Sequence, residues 1–295
     1  MVFRVIIVLL LFSYNIINAQ EVRCVDCIQF QIDNDYFAPD DRDNYYTSGL
    51  FVSYSYSPNE FFCFKKQGGE VLLVSYSLAQ QMFVPRYPNS WYIGNYDRPF
   101  AGWLGVQAEV SKVKENSVLL YGITLGVTGN ASFSRQLQQR YHDLVGIEED
   151  PLWLWQIPSE FMGNVKIGYG YFIVPKMILI SEMVFGTRDD YLKMGLKYTI
   201  NVKAKELYSI PDRKLYGVAS VAYKRVFYDA LIQGSVWNND APFTVGIESN
   251  MVTCTVGLGV RLGRFGVVFS ENFYSKKTSL MEGHMYGTFQ LNYFY

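Results

Sequence analysis

The chain has 295 residues, with 26 Lys and Arg against 27 Asp and Glu and a formal charge of −1. The near-neutral balance, with no basic block, argues against a nucleic-acid binder. A content of 49% hydrophobic residues, with 24 tyrosines and 21 phenylalanines, excludes a disordered chain. Beyond the N-terminus no apolar run reaches the roughly 18 residues that a membrane-spanning helix needs, so a helical membrane protein is excluded. A soluble β protein and a membrane β-barrel remain, the latter hiding its hydrophobicity in alternation.

Residues 1–19 read as a secretory signal peptide. Arg4 is their only charge, followed by the apolar run Val5 to Phe12 and a polar stretch ending Ile17-Asn18-Ala19, which places cleavage after Ala19. Residues 20–295 then form one exported domain. The four cysteines carry no metal spacing, because Cys24-x-x-Cys27 has no second pair. In an oxidising compartment a Cys24–Cys27 or a Cys27–Cys63 disulfide is open, and Cys254 reads as a small buried or lipid-facing residue.

Period-two alternation runs through most of the exported domain. Leu50, Val52, Tyr54 and Tyr56 oppose Phe51, Ser53, Ser55 and Ser57. Leu192, Met194, Leu196, Tyr198 and Ile200 oppose Lys193, Gly195, Lys197 and Thr199. Val252, Cys254, Val256, Leu258, Val260 and Leu262 oppose Thr253, Thr255, Gly257, Gly259, Arg261 and Gly263. The strands are about 10 residues long, as tilted membrane strands must be, and aromatics gather near their ends. The chain closes on Phe289-Gln290-Leu291-Asn292-Tyr293-Phe294-Tyr295, which resembles the C-terminal signal of bacterial outer-membrane proteins. Twelve or thirteen strand candidates are present. Because such barrels favour even counts, the reading is an all-β transmembrane antiparallel barrel of about 12 strands. Side chains would fill so narrow a lumen, which argues against a wide channel.

With both termini in the periplasm, strand direction is fixed in order. Strand 1 (about Cys24 to Asp33) runs outward, strand 2 returns from about Tyr46, strand 3 covers Val71 to Gln81, strand 4 starts near Phe100, strand 5 covers Val118 to Val127, and strand 6 starts near Asn164. The outer connections are then Tyr36–Tyr45, Met82–Pro99 and Thr128–Gly163. The turns Lys112–Asn116 and Val174–Lys176 are short, as periplasmic turns are, whereas Pro58–Gly68 is longer than that rule prefers. Within the third outer connection the spacing predicts a helix over Ser132 to Gly146, opened by capping serines and stopped by glycine. On it Gln138 and His142, four apart, share a face.

His142 is one of two histidines, the other being His284, and imidazole suits general-base work near neutral pH. Asp33-Asn34-Asp35 are candidates for capping or for a hard cation. Asp40, Asp41 and Asp43 fail the EF-hand pattern, since Tyr45 stands where Asp or Asn is needed. No Gly-x-Ser-x-Gly occurs to support a serine nucleophile.

Several segments in order resemble the LpxR family, the lipid A 3′-O-deacylases of Gram-negative outer membranes. They are Asn34-Asp35-Tyr36-Phe37, Tyr45-Tyr46-Thr47-Ser48-Gly49-Leu50, Asp97-Arg98-Pro99-Phe100-Ala101-Gly102-Trp103, Gly126-Val127-Thr128-Gly129, the Gln138 and His142 pair, and Trp155-Gln156 with Glu160. The resemblance implies a 12-stranded barrel and a Ca²⁺-dependent esterase at the extracellular rim. It would act on lipid A or lipopolysaccharide as a monomer among outer-membrane lipids. It further implies His142 as the base activating water, Gln138 as its neighbour in the site, Arg98 as a contact for phosphate or the oxyanion, and Asn34, Asp35 and Thr47 as calcium-side residues. Asn130 stands where the family has a Gly-Pro turn. Asp97 stands where some members have Lys, and an acid supplies no positive donor. The strand directions independently place all six residues on one rim. Two other readings differ in class: a non-catalytic channel or structural barrel, and an outer-membrane phospholipase. The latter uses a His-x-Ser pair that neither His142-Asp143-Leu144 nor His284-Met285-Tyr286 supplies.

Overall fold

A computed structural model describes residues 26–38, 45–147, 150–208 and 213–295. The signal-peptide reading, Cys24, and Asp40, Asp41 and Asp43 lie outside the described residues. Twelve strands close into one antiparallel barrel. They are β1 (Cys27–Asn34), β2 (Tyr45–Tyr56), β3 (Val71–Val84), β4 (Ala101–Val113), β5 (Ser117–Thr128), β6 (Phe161–Val174), β7 (Met177–Gly186), β8 (Asp189–Ile200), β9 (Lys214–Asp229), β10 (Asn250–Leu262), β11 (Phe265–Tyr274) and β12 (His284–Phe294). Each strand pairs with its sequence neighbours, and β1 pairs with β12 to shut the wall, in a register that sets Cys27 opposite Phe294 and Asn34 opposite Gly287. The backbone N–H of Tyr295 donates to the Asp26 carbonyl, extending the closure by one bond. A closed ladder leaves no strand edge unpaired, which is what a β structure in hydrocarbon requires.

The alternation of the sequence is the alternation of the wall. Leu192, Met194, Leu196, Tyr198 and Ile200 are exposed on the outside, as are Val252, Val256, Leu258 and Leu262. Inward residues form polar ladders instead. The Ser53 and Ser77 hydroxyls meet at 2.8 Å, Thr255 Oγ1 donates to Asn272 Oδ1 at 2.9 Å, and Lys166 pairs with Glu109 along the inner wall over Gly122. Water-exposed apolar faces of this extent would be untenable for a soluble protein. A bilayer is the solvent they fit.

Cys27 and Cys63 are both free thiols, so the Cys27–Cys63 pairing is absent. One sits at the foot of β1 and the other in the loop after β2. The long stretch after β2 is partly ordered by a small hairpin, Glu60–Phe61 against Phe64–Lys65, which explains why it exceeds an ordinary turn. Helix α1 spans Ser134–Val145 and ends on Gly146 in the left-handed region, as expected. Its start differs from expectation. The N-cap is Phe133, also left-handed (φ 57°), with no side-chain cap. The serines are occupied elsewhere: Ser132 Oγ donates to the Gly129 carbonyl, and Ser134 Oγ accepts from Gln80 Nε2.

Candidate functional site

One rim carries the connections 85–100, 129–160, 230–249 and 275–283, and every candidate residue stands on it. Helix α1 is held there against the outer, lipid-facing side of the wall. Gln80 on β3 faces outward, in step with Tyr76 and Leu78, and its Nε2 donates to the Ser132 carbonyl at 2.8 Å and to Ser134 Oγ at 2.7 Å. Gly102 faces outward on β4, in step with Val106, and a Cβ there would collide with the Ser132 and Ser134 hydroxyls. Gly129 has φ +61°, and a Cβ would strike the Pro158 backbone. These two motif glycines therefore let the loop fold back onto the wall.

Ser134, Gln138 and His142 form the buried stripe of α1, one turn apart and turned to the protein. Gln138 is 4% exposed, and its Oε1 accepts from Trp153 Nε1 at 2.8 Å. Trp153 in turn stacks on Phe100 at 5.2 Å. Left-handed φ values at Tyr45, Phe133, Trp153 and Trp155 cluster around this site. Each costs of order 1 kcal/mol and persists only under imposed packing. For Trp153 the packing is visible in the contacts just named.

His142 is 5% exposed, and its Nδ1 lies 3.0 Å from Asp150 Oδ1. The contact is an ion-pair distance without hydrogen-bond geometry, and a carboxylate that close to Nδ1 favours a proton there, leaving the lone pair on Nε2. Asp150 was not found by sequence reasoning. Its only signal is an acid eight residues after His142, just past the helix-stopping Gly146, and that spacing is unremarkable until the loop folds back.

The residues expected on the calcium side adjoin one another at the tops of β1 and β2. Asn34 ends β1, and its Oδ1 accepts the Tyr36 N–H at 2.8 Å, capping the short 3₁₀ turn Asp35–Phe37. Asp35 is 2% exposed within that turn. Thr47, 6% exposed, is the bulged residue of β2, because Tyr46 pairs with Phe83 while Ser48 already pairs with Met82. A bulge re-aims a side chain that strict alternation would have fixed. The neighbouring Asp33 is engaged inward, accepting from Tyr46 OH and Thr288 Oγ1 at 2.8 Å each. The set Asn34, Asp35 and Thr47 is all oxygen with one carboxylate, which fits a hard cation held with help from carbonyls or water and fits no soft metal. Among the described residues no cluster of three or more His, Cys, Asp or Glu side chains forms a metal cage.

Arg98 takes a different place. It is fully buried, with Nη2 donating to the Leu231 carbonyl at 3.3 Å, Nε to the Pro99 carbonyl at 3.2 Å, and its guanidinium 4.7 Å from the inward-facing Phe83 ring. Burial pulls its pKa below the ordinary arginine value, against the attraction of Tyr274 and Asp229. It ties the 85–100 and 230–249 connections together. Asp97 pins the same junction, accepting from the Arg86 N–H at 3.1 Å through Oδ1 and from Thr278 Oγ1 at 3.0 Å through its carbonyl. Lys277, in the last rim connection, lies 5.4 Å from the Phe83 ring and 5.1 Å from that of Tyr274. Burial pushes its ammonium down to about 8. His284 opens β12, its Nε2–H donating to the Tyr46 carbonyl at 3.2 Å inside a ring of Tyr45, Tyr274 and Tyr286.

A comparison with curated protein sequences gives no match. Among solved structures, LpxR from Salmonella typhimurium superposes with a TM-score of 0.75 at 19% identity, covering 91% of this chain and all of that one. The β domain of the Bordetella autotransporter BrkA reaches a TM-score of 0.45 at 12% identity, covering 92% of this chain and 98% of that one. The translocator domain of autotransporter NalP from Neisseria meningitidis reaches 0.44 at 10%, covering 92% and 89%. The first likeness establishes the 12-stranded barrel fold, and the other two carry no weight. The family model described as outer membrane protein LpxR matches residues 5–295, nearly the whole length. With the closed barrel, the outward apolar wall and the loop helix all in place, the chain belongs to the LpxR family of outer-membrane proteins.

Proposed function

We propose that the protein is a carboxylic ester hydrolase of the Gram-negative outer membrane that removes an acyl or acyloxyacyl chain from lipid A at the extracellular rim. The observation that carries the reading is His142, buried beside Asp150 on the inner stripe of α1, a helix whose start is seated on the lipid-facing wall. A base standing in open water would serve any solute. A base buried under a helix that is seated on the lipid-facing wall serves a substrate that arrives from the bilayer.

His142 Nε2 takes a proton from water as its oxygen attacks the ester carbonyl carbon, giving a tetrahedral oxyanion and an imidazolium. The oxyanion collapses, the bond to the sugar oxygen breaks, and the imidazolium returns its proton to that oxygen. The products are a carboxylic acid and a free hydroxyl. Asp150 holds the ring in the required tautomer and offsets the imidazolium charge. Gln138, locked by Trp153, fixes the wall-facing side of the helix. Asn34, Asp35 and Thr47 would hold Ca²⁺, whose chemistry when bound is polarisation of a carbonyl oxygen. Arg98, fully buried under the rim loops, acts by positioning them. The enzyme needs only one chain, since all these groups come from it.

Mass spectrometry of lipid A from cells with and without the protein tests the reading. A mass loss equal to an acyl or acyloxyacyl group, absent with His142→Ala, is expected. Unchanged lipid A in a host displaying the folded barrel refutes it.

A further inference from the structure

Directly below α1 on the outer wall lies an apolar groove of about 660 Å³, formed by Val52 and Tyr54 of β2, Leu78 of β3, Val106 of β4, and Ile123 and Leu125 of β5. The strand register runs it up to the wall residues that hold the helix start. Along β3 the outward residues run Gln80, which bonds the helix start, then Leu78 and Tyr76 in the groove. Along β4 they run Gly102, which touches the helix start, then Leu104, Val106 and Ala108, the last two in the groove. Polar partners end at Gln80. Below it the outward side chains are apolar down to the tyrosines.

The far end is closed by tyrosines. Tyr54 and Tyr56 stack at 5.6 Å, and Tyr56 and Tyr76 at 6.4 Å, on the outer face away from α1. From Gln80 to Tyr76 is four residues, a span of ~13 Å at ~3.3 Å per residue. That span suits one extended alkyl chain of medium length, and the volume lies within the usual ~300–1,000 Å³ of a ligand pocket.

We infer that this groove is the seat of the hydrocarbon tail of the ester cleaved at His142, and that the Tyr54–Tyr56–Tyr76 floor limits the chain length accepted. The inference rests on the deacylase reading above. A tail in the groove leads its ester toward the start of α1 at Gln80 and Gly102, and Gln138 and His142 follow one and two turns along the same buried stripe. Substrate selection is thus made on the lipid side of the wall, with the bilayer delivering the tail laterally.

Two measurements test it, one by chain-length preference and one without turnover. Leu78→Trp and Val106→Trp fill the groove without placing a polar group in lipid, so the barrel should assemble with parental heat-modifiable migration. In mixed micelles with lipid A species of differing acyl length, turnover of the longest tails should fall roughly tenfold or more relative to the shortest, the usual worth of a blocked apolar pocket. Tyr76→Ala should shift the optimum toward longer tails, and Val221→Trp on the far outer wall should change nothing. A uniform profile in all four variants overturns the groove. The second measurement needs no turnover: a photoreactive benzoylphenylalanine at Val106 or Val221, in vesicles of phosphatidylethanolamine and lipid A. Preferential cross-linking of lipid A at 106 supports the groove even should the chain prove inactive. Equal labelling of both lipids at both positions means ordinary annular lipid only and overturns it.

Discussion

Asp150→Asn is the sharpest perturbation of the proposed site, because it removes one charge and almost no volume. Asp150 Oδ1 lies 3.0 Å from His142 Nδ1, and its side chain is 39% exposed. Two unit charges at that distance attract by about 1.4 kcal/mol in water and about 5.5 kcal/mol at an effective dielectric of 20. The exposed carboxylate belongs toward the weaker limit, about 1.4–2.8 kcal/mol. Since the imidazolium exists only after water has given up its proton, that energy stabilises the transition state and not the bound substrate. The expected effect is a roughly ten- to hundredfold fall in kcat with KM little changed. His142→Ala should fall further, by roughly 10²–10⁴-fold. The double variant should be no worse than His142→Ala alone, because the aspartate acts only through the ring. Single-turnover release of fatty acid from radiolabelled lipid A measures all three. Parental kcat in Asp150→Asn, or losses that multiply in the double variant, would refute the coupled pair.

Chelation should abolish hydrolysis and added Ca²⁺ restore it, with Asp35→Ala raising the concentration required; full activity in excess chelator removes the metal from the scheme. His284→Ala should lower the thermal midpoint of the purified barrel by an amount worth about 2–4 kcal/mol, since it empties a site enclosed by Tyr45, Tyr274 and Tyr286; an unchanged midpoint would show that the rim does not depend on it. Lys277 titrates at about 8 in the folded chain, below the ordinary lysine value, so the unfolded chain binds its proton more tightly. Its burial penalty is therefore present in full below pH 8 and fades as pH rises through the ordinary lysine range. Lys277→Met should raise stability at pH 7 by at most about 3 kcal/mol and flatten the alkaline rise; an identical pH profile in the variant contradicts this.

The wall of this protein was legible residue by residue. Leu192 to Ile200 and Val252 to Leu262 sort into outward and inward sets by parity alone, because a strand has period two and the lipid accepts only one of its faces. The same parity, carried through the strand order, brought Asn34, Asp35, Thr47, Arg98, Gln138 and His142 to one rim. Within the site, parity no longer decides. Thr47 departs from it through a bulge that depends on how β2 meets β3. The helix serines, suited locally to capping, were drawn instead to Gln80 and Gly129, a choice that exists only once α1 lies on the wall.

Asp150 illustrates the difference most plainly. Nothing in its surroundings along the chain marks it as the partner of His142, for loop residues meet by long-range closure and leave no periodic trace. Arg98 is the converse, a motif arginine that reads as a substrate contact and folds into a fully buried tie between two connections. What the sequence determined by itself was the barrel, its two faces and the rim on which the candidate residues gather, since each arises from a short repeat acting through one solvent preference. What only the tertiary structure decided was which side of the wall α1 occupies, which acid meets the histidine, and where an apolar groove lies, since those are set by contacts between segments far apart in the chain.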